Sequence, residues 1–245
     1  SDDDLLPAIV TMMAHQAEGL VLQIPMFDSN TRRVIDQLPP HCPPIVVMKG
    51  GDDDRYSAIT VDNEGGAALA TRHLLALGRR HLAHVGGPSH LLESHLRLAG
   101  WRRAQAEAGV TPGPAAVQHG DWSAQSGIAA FEALLDAVPG IDGVFAANDQ
   151  MALGVLHVCH RRGHKVPEEI AVIGFDGIPE GEAFTPSLST VRQPLAELGQ
   201  LAVDDLVARI DGPSGSVGPV HHLVLDLELI VRDSTVGADQ SPATI

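Results

Sequence analysis

The sequence predicts a doubly wound α/β protein on three observations: short apolar runs bounded by Gly or Pro, amphipathic helical stretches between them, and glycine just past most helix ends. Residues 2–16 open as a helix, with Leu5, Ile9 and Met12 or Met13 at helical spacing and Asp2, Asp3 and Asp4 where the N-terminal dipole favours acid. Gly19–Ile24 is nearly continuous and apolar, as a strand buried on both faces must be; Ile45–Met48, Leu82–Val85, Gly143–Ala147 and Ile170–Gly174 share that pattern. Helices are expected over Glu64–Leu77, Leu91–Ala108, Ser123–Ala137, Gln150–Arg162 and Leu195–Ile210, with Gly78, Gly109, Gly163 and Gly212 beyond their ends as C-caps. Such alternation implies right-handed crossovers and a parallel sheet covered on both faces. Asp211–Pro219 reads as a low-complexity loop and Val236–Ile245 as a polar tail, and neither divides the chain in half.

Composition narrows the function. The formal net charge of -15 opposes sequence-independent DNA binding, which depends on Lys and Arg neutralising phosphates. No apolar run reaches about 18 residues, and the chain opens Ser1-Asp2-Asp3-Asp4 instead of with a basic and then an apolar segment. Neither a membrane span nor an intact signal peptide is therefore expected. Cys42 and Cys159 form no CxxC pair and no disulfide framework, so a reducing cytoplasm is the expected compartment.

In open α/β sheets ligands bind beyond the carboxyl ends of the strands, and here those ends are polar. Asn148-Asp149 follows one strand, Asp176 another, Lys49 a third and Gly86-Gly87-Pro88 a fourth. Arg97 lies near the start of the next helix, Trp122 follows Gly120-Asp121, and Gln193 precedes Pro194. Guanidinium, carboxamide and carboxylate groups beside one indole can hydrogen-bond adjacent hydroxyls and stack on a sugar's apolar face. Bland readings stand beside these: Asp149 or Asn148 as a helix N-cap, Trp122 as a core anchor, Arg97 as a solvated helix residue, Lys49 as a surface residue. Asp176 resists one, because a carboxylate directly after an apolar strand must be solvated in a crevice or paired.

His157, His160 and His164 share a helical spacing with Cys159 between them, but Gly163 ends the helix before His164 and Cys159 points off that face. No metal and no cofactor are expected. HExxH, GxSxG, GxGxxG and GxxxxGK[ST] are all missing, so an enzyme is not expected either.

The segments Val61-Asp-Asn-Glu-Gly-Gly66, His73-Leu-Leu-Ala-Leu-Gly78, Val85-Gly-Gly-Pro88, Arg97-Leu-Ala-Gly-Trp101, Gly120-Asp-Trp-Ser-Ala124, Ala147–Gly154, Val166–Asp176, Pro186–Gln193 and Glu228–Thr235 together resemble the effector domain of the lactose repressor family of bacterial regulators. The resemblance spans roughly Ser1 to Thr235. It implies two doubly wound parallel-sheet lobes of periplasmic-binding-protein-like type, crossing near Val61, Gln193 and His222: residues 1–61 plus 194–222 in the N-terminal lobe, 62–193 plus 223–235 in the C-terminal lobe, and 236–245 as a tail. The first lobe is expected to lack its initial strand-helix-strand, and the DNA-binding headpiece is expected to lie outside this chain.

The family's effector contacts carry over to Arg97, Trp122, Asn148, Asp176 and Gln193, with Asp149 and Lys49 as weaker candidates. Lys49 stands where the member that names the family has an acidic side chain, which opposes a plain neutral galactoside. The resemblance implies a sugar or sugar-derivative effector, a homodimer or tetramer with helix Gln150–Arg162 as one interface element, operator DNA reached only through the headpiece, and no membrane partner. A secreted sugar-binding protein of a transporter and a glycoside hydrolase are the rival readings.

Overall fold

The computed structural model describes residues 5–23, 36–38, 42–48, 56–212 and 220–237. In chain order they form α1 (Leu5–Ala14), β1 (Leu20–Gln23), β2 (Ile45–Met48), β3 (Ser57–Val61), α2 (Asn63–Ala76), β4 (Leu82–Gly86) and α3 (Leu92–Glu107). There follow β5 (Val117–His119), α4 (Ala124–Ala137), β6 (Gly143–Ala146), α5 (Asp149–Arg162), β7 (Ala171–Asp176), a 3-10 turn at Pro179–Ala183 and β8 (Ser189–Arg192). The chain continues with α6 (Leu195–Ile210), β9 (His222–Leu225), β10 (Glu228–Ile230) and α7 (Asp233–Val236). Every strand and helix expected from the sequence is present to within a few residues. Ile24, Lys49, Asp2 to Asp4, most of the 211–219 loop and most of the tail lie outside the described residues.

Two compact units emerge, Ser1–Val61 with Pro194–Asp226 and Asp62–Gln193 with Leu227–Ile245. The third change of unit falls after Asp226, not His222. The reason is pairing: β9 runs parallel to β3 in the first unit, matching Ala58 with His222 and Val61 with Leu225.

The first unit holds a four-stranded sheet in the order β1-β2-β3-β9, parallel throughout. Its core gathers Ile9, Leu20, Ile45 and Val47, with Leu5, Met13 and Tyr56 packed against them.

The second unit holds six strands in the order β10-β8-β7-β6-β4-β5. Five are parallel; β10 is antiparallel to β8, which corrects the expectation of a purely parallel sheet. The chain enters β10 from β9 of the first unit through Asp226-Leu227, not from β8 by a crossover helix, so a parallel course beside β8 is not imposed. One core layer packs Leu74, Trp101, Phe145 and Phe175, the other Phe131, Leu134, Met151 and Val155. Helices α4 and α5 come into direct backbone contact because Gly127 and Gly154 face each other's helix: a Cβ on Gly127 would sit 2.4 Å from the Met151 carbonyl oxygen, and one on Gly154 2.3 Å from that of Ala124.

Strand order places the site. From β4 the chain moves outward to β5, then returns across β4 to β6 on its other side. The sheet therefore reverses direction between β4 and β6, and the crevice at their carboxyl ends is where an open α/β sheet binds its ligand.

Candidate functional site

At that reversal β4 ends in Gly86 and β6 leads into Ala147-Asn148. Arg97, on the second turn of α3, is 4% exposed and spans the gap. Its Nε donates to Asn63 Oδ1 at 2.9 Å, and its Nη1 donates to the Ala147 carbonyl at 2.5 Å and to Asp176 Oδ1 at 3.3 Å. The guanidinium lies 3.8 Å from the Phe175 ring centroid and 5.5 Å from that of Trp122. Burial pulls its pKa below the ordinary value, opposed chiefly by the charge of Asp176. Arg97 is thus no solvated helix residue.

Asp176 ends β7 with φ +111°, a left-handed conformation costly for a residue with a Cβ. Its Oδ1 also accepts Gln193 Nε2 at 2.6 Å, and its carbonyl accepts the Gln193 backbone N–H at 3.1 Å. One carboxylate oxygen thereby joins guanidinium and carboxamide.

The Gly120–Ala124 segment shows how a short polar motif aims an indole. Asp121 Oδ1 accepts the Ser123 N–H at 3.0 Å and the Ser123 hydroxyl at 2.5 Å, and Ser123 in turn caps α4 through Ser126 N–H. Trp122 is left at φ +74°, half-buried, its six-membered ring laid over Gly87. A Cβ on Gly87 would fall 2.2 Å from Trp122 Cη2 and 2.5 Å from the buried Ser94 hydroxyl, so glycine is required there.

Asn148, not Asp149, caps α5: its Oδ1 accepts the Met151 N–H at 2.9 Å, while its Nδ2 donates to the Trp122 carbonyl at 3.0 Å. Asp149 is fully buried. Its Oδ2 accepts the Gly177 and Ile178 N–H groups, each at 2.8 Å, and its Oδ1 accepts the Thr190 hydroxyl at 2.6 Å. Burial pushes its pKa up to about 6 despite those bonds.

The second unit thus brings Arg97, Trp122, Asn148, Asp176 and Gln193 together, with Asp149 behind the turn after Asp176. Lys49 lies outside the described residues. Sequence reasoning missed Asn63, Phe175, Ser94 and Thr190 as supports of the site. Asn63 and Phe175 do fall inside the motifs quoted above, beside Asp62 and Asp176.

His157 and His160 line an open surface pocket of about 290 Å³ with Leu153, Leu156 and Thr185, and His164 Nδ1 lies 3.4 Å from Glu169. Among the described residues no three metal-capable side chains gather. Cys159 is a free, buried thiol whose pKa burial pushes up to about 12. No helix among the described residues is long and apolar enough to cross a membrane.

Two α/β units with parallel strands, the second with guanidinium, carboxylate and carboxamide groups beside an indole at its strand-order reversal, have the architecture of the periplasmic-binding type. Comparison makes this particular. The family model for the periplasmic binding protein-like domain matches residues 71–235. The HTH-type transcriptional regulator CelR of Thermobifida fusca is 38% identical over 185 residues, or 76% of this chain and 54% of that protein. The lactose operon repressor of Escherichia coli (strain K12) is 28% identical over 237 residues, 97% of this chain and 64% of that protein. The chain spans little more than half the length of CelR. Among solved structures, a transcriptional regulator CelR-cellobiose complex matches with TM-score 0.83 at 33% identity, covering 94% of this chain and 69% of that one. The Lac repressor dimer bound to operator and the anti-inducer ONPF matches with TM-score 0.85 at 28% identity, covering 96% and 79%. The chain belongs to the periplasmic binding protein-like domain family, in the form carried by lactose-repressor-type regulators.

Proposed function

We propose that this chain is the sensing core of a sugar-responsive transcriptional repressor, which binds a carbohydrate effector at the carboxyl edge of the second unit and passes the event to an operator-binding segment of the same polypeptide. The observation that carries the reading is the lattice of Arg97, Asp176 and Gln193 beside the half-exposed Trp122. A polyol presents adjacent hydroxyls to such a lattice and an apolar ring face to the indole. Regulation requires that effector bind two states of the protein with different affinity, which is the whole of the coupling energy. A dimer follows from the two-fold symmetry of operators, and a cytoplasmic setting from access to DNA. The names of the similar proteins favour regulation over transport.

Calorimetry with mono-, di- and acidic saccharides, beginning with cellobiose, tests the reading. Trp122→Ala and Arg97→Ala should each weaken the identified sugar about tenfold, the first by losing the stacking face and the second by losing a charge-assisted hydrogen bond. If both variants bind it like wild type, the site is elsewhere. One observation favours a glycosidase instead, the raised pKa of Asp149 beside Asp176. The hydrogen bonds from Gly177, Ile178 and Thr190 to Asp149 speak for a framework role, and hydrolysis of chromogenic glycosides that depends on Asp149 or Asp176 would reverse that judgement.

A further inference from the structure

Asp176 reaches the site from a backbone held at φ +111°, and the next residue, Gly177, is also left-handed at φ +76°. Gly177 takes that conformation freely, but Asp176 carries a Cβ and does not, so something must fix the turn. The Gly177 and Ile178 N–H groups both point at Asp149 Oδ2, and Gly177 N also lies 3.3 Å from Thr190 Oγ1. Gly174 leaves space for the carboxylate, since a Cβ there would stand 2.2 Å from Asp149 Oδ1.

We propose that Asp149 is the positioning residue of this site: its ionised carboxylate holds the Gly177-Ile178 turn, and through the turn sets where the Asp176 carboxylate stands for Arg97, Gln193 and ligand. The ligand part of this statement rests on the sugar-sensor reading; the latch itself does not. The charged groups acting on Asp149 are Asp176 from β7 and Arg97 from α3, while β8 presents the neutral Thr190.

The latch works against stability. Because burial raises the folded pKa to about 6, the neutral form is the better tolerated one. Its stabilising contribution is complete below the ordinary carboxylate value and is lost as pH rises through 6. At neutral pH the carboxylate therefore lowers stability while giving the turn its charge-assisted bonds. Site order and fold stability respond to its neutralisation with opposite sign, which a merely structural residue would not do.

The test is ¹⁵N NMR on the full chain between about pH 7.5 and pH 5, the range across physiological switch values. The Gly177 and Ile178 amides and the Gln193 side-chain amide, which reports the Asp176 carboxylate, should titrate together with a midpoint at the Asp149 value of about 6. In Asp149→Asn none of the three should titrate, and the thermal midpoint at neutral pH should equal or exceed that of wild type. Static resonances in wild type, an unchanged titration in the variant, or a lowered thermal midpoint overturns the proposal. Should the variant not fold, Thr190→Val serves, because losing the hydroxyl that stabilises the anion should raise the midpoint; an unmoved midpoint is again fatal. In the ligand arm, wild type should bind cellobiose about tenfold more weakly at the acid end, the loss expected when two bonds give up their charge assistance, and Asp149→Asn should bind weakly at both ends. No cellobiose binding by wild type would remove that sugar from the functional reading and leave the NMR arm to decide the latch.

Discussion

The two units share parallel-strand architecture but place their polar networks at opposite ends of their strands, the first unit's partly exposed at His221. In the second unit, Arg97, Asn148, Asp149, Asp176 and Gln193 gather at the carboxyl ends, around the reversal of strand order. In the first, Ser57, Asp205, Arg209 and His221 gather where β3 and β9 begin. Asp205 accepts Arg209 Nε at 2.7 Å and pairs with His221 Nδ1 at 2.7 Å, while Ser57 Oγ accepts Arg209 Nη2 at 2.5 Å and the His221 N–H at 2.9 Å. In a parallel sheet only the carboxyl-end crevice is shaped for a ligand. The same kinds of side chain therefore make a binding surface at one end and a clamp at the other.

The largest effect should come from Arg97→Ala. It removes the bond to Asp176, which keeps Gln193, together with the donors to Asn63 and the Ala147 carbonyl, and leaves Phe175 without its cation. Breaking a fully buried pair on one side costs about 3–5 kcal/mol; with Asp176 29% exposed and still held by Gln193, urea denaturation should register a loss at the low end of that range, about 3 kcal/mol, as well as weakened sugar binding. A variant as stable as wild type would show that the network is not a network.

Gly87→Ala should rank next. The added methyl meets the Trp122 ring and the buried Ser94 hydroxyl, so the half-exposed indole is the group that must give way. Overpacking of this kind costs about 1–3 kcal/mol, and swinging the indole aside should weaken sugar binding about tenfold. Unchanged intrinsic fluorescence of Trp122 on that substitution would contradict the packing described.

What could be read from sequence divides along the same line. Strands buried on both faces announce themselves as continuous apolar runs, and four were legible that way; Leu20–Gln23 carries the same kind of run yet lies at the edge of the described sheet with Val21 and Gln23 exposed, so its expected burial on both faces does not hold. Val117–His119, His222–Leu225 and Glu228–Ile230 are edge strands or nearly so, part-exposed, and carry no such run. Ser57–Val61 is buried and still escaped notice, because it opens on a serine whose partners Arg209 and His221 lie 152 and 164 residues away. Asp149 was ambiguous for the same reason. Its neighbours in sequence suggest a helix cap, whereas the donors that define it stand 28, 29 and 41 residues on. Residue type and strand end point to a site; which carboxylate faces ligand and which holds the turn is decided only by long-range contact.

The smallest effect on binding sharpens the comparison most. Burial raises the Asp205 pKa, but hydrogen bonds from Arg209, His221 and Ser57 outweigh it and leave the group below its ordinary value. A depressed folded value gives stability that is present above the unfolded pKa of about 3.9 and is lost as pH falls through the folded one. Asp205→Asn should therefore cost about 1–2 kcal/mol at neutral pH, the worth of a charge-assisted bond, and the difference from wild type should shrink in acid. Sugar affinity should stay within about twofold, since Asp205 belongs to α6 of the first unit, bonded to residues where β3 and β9 begin, whereas the candidate site belongs to the second unit. The pH trend is opposite to that of Asp149→Asn, where neutralisation relieves a buried charge. Two substitutions of one chemistry, one in each unit, thus separate a carboxylate that stabilises the fold from one held in place for the site; the same sign in both would erase the distinction between clamp and latch.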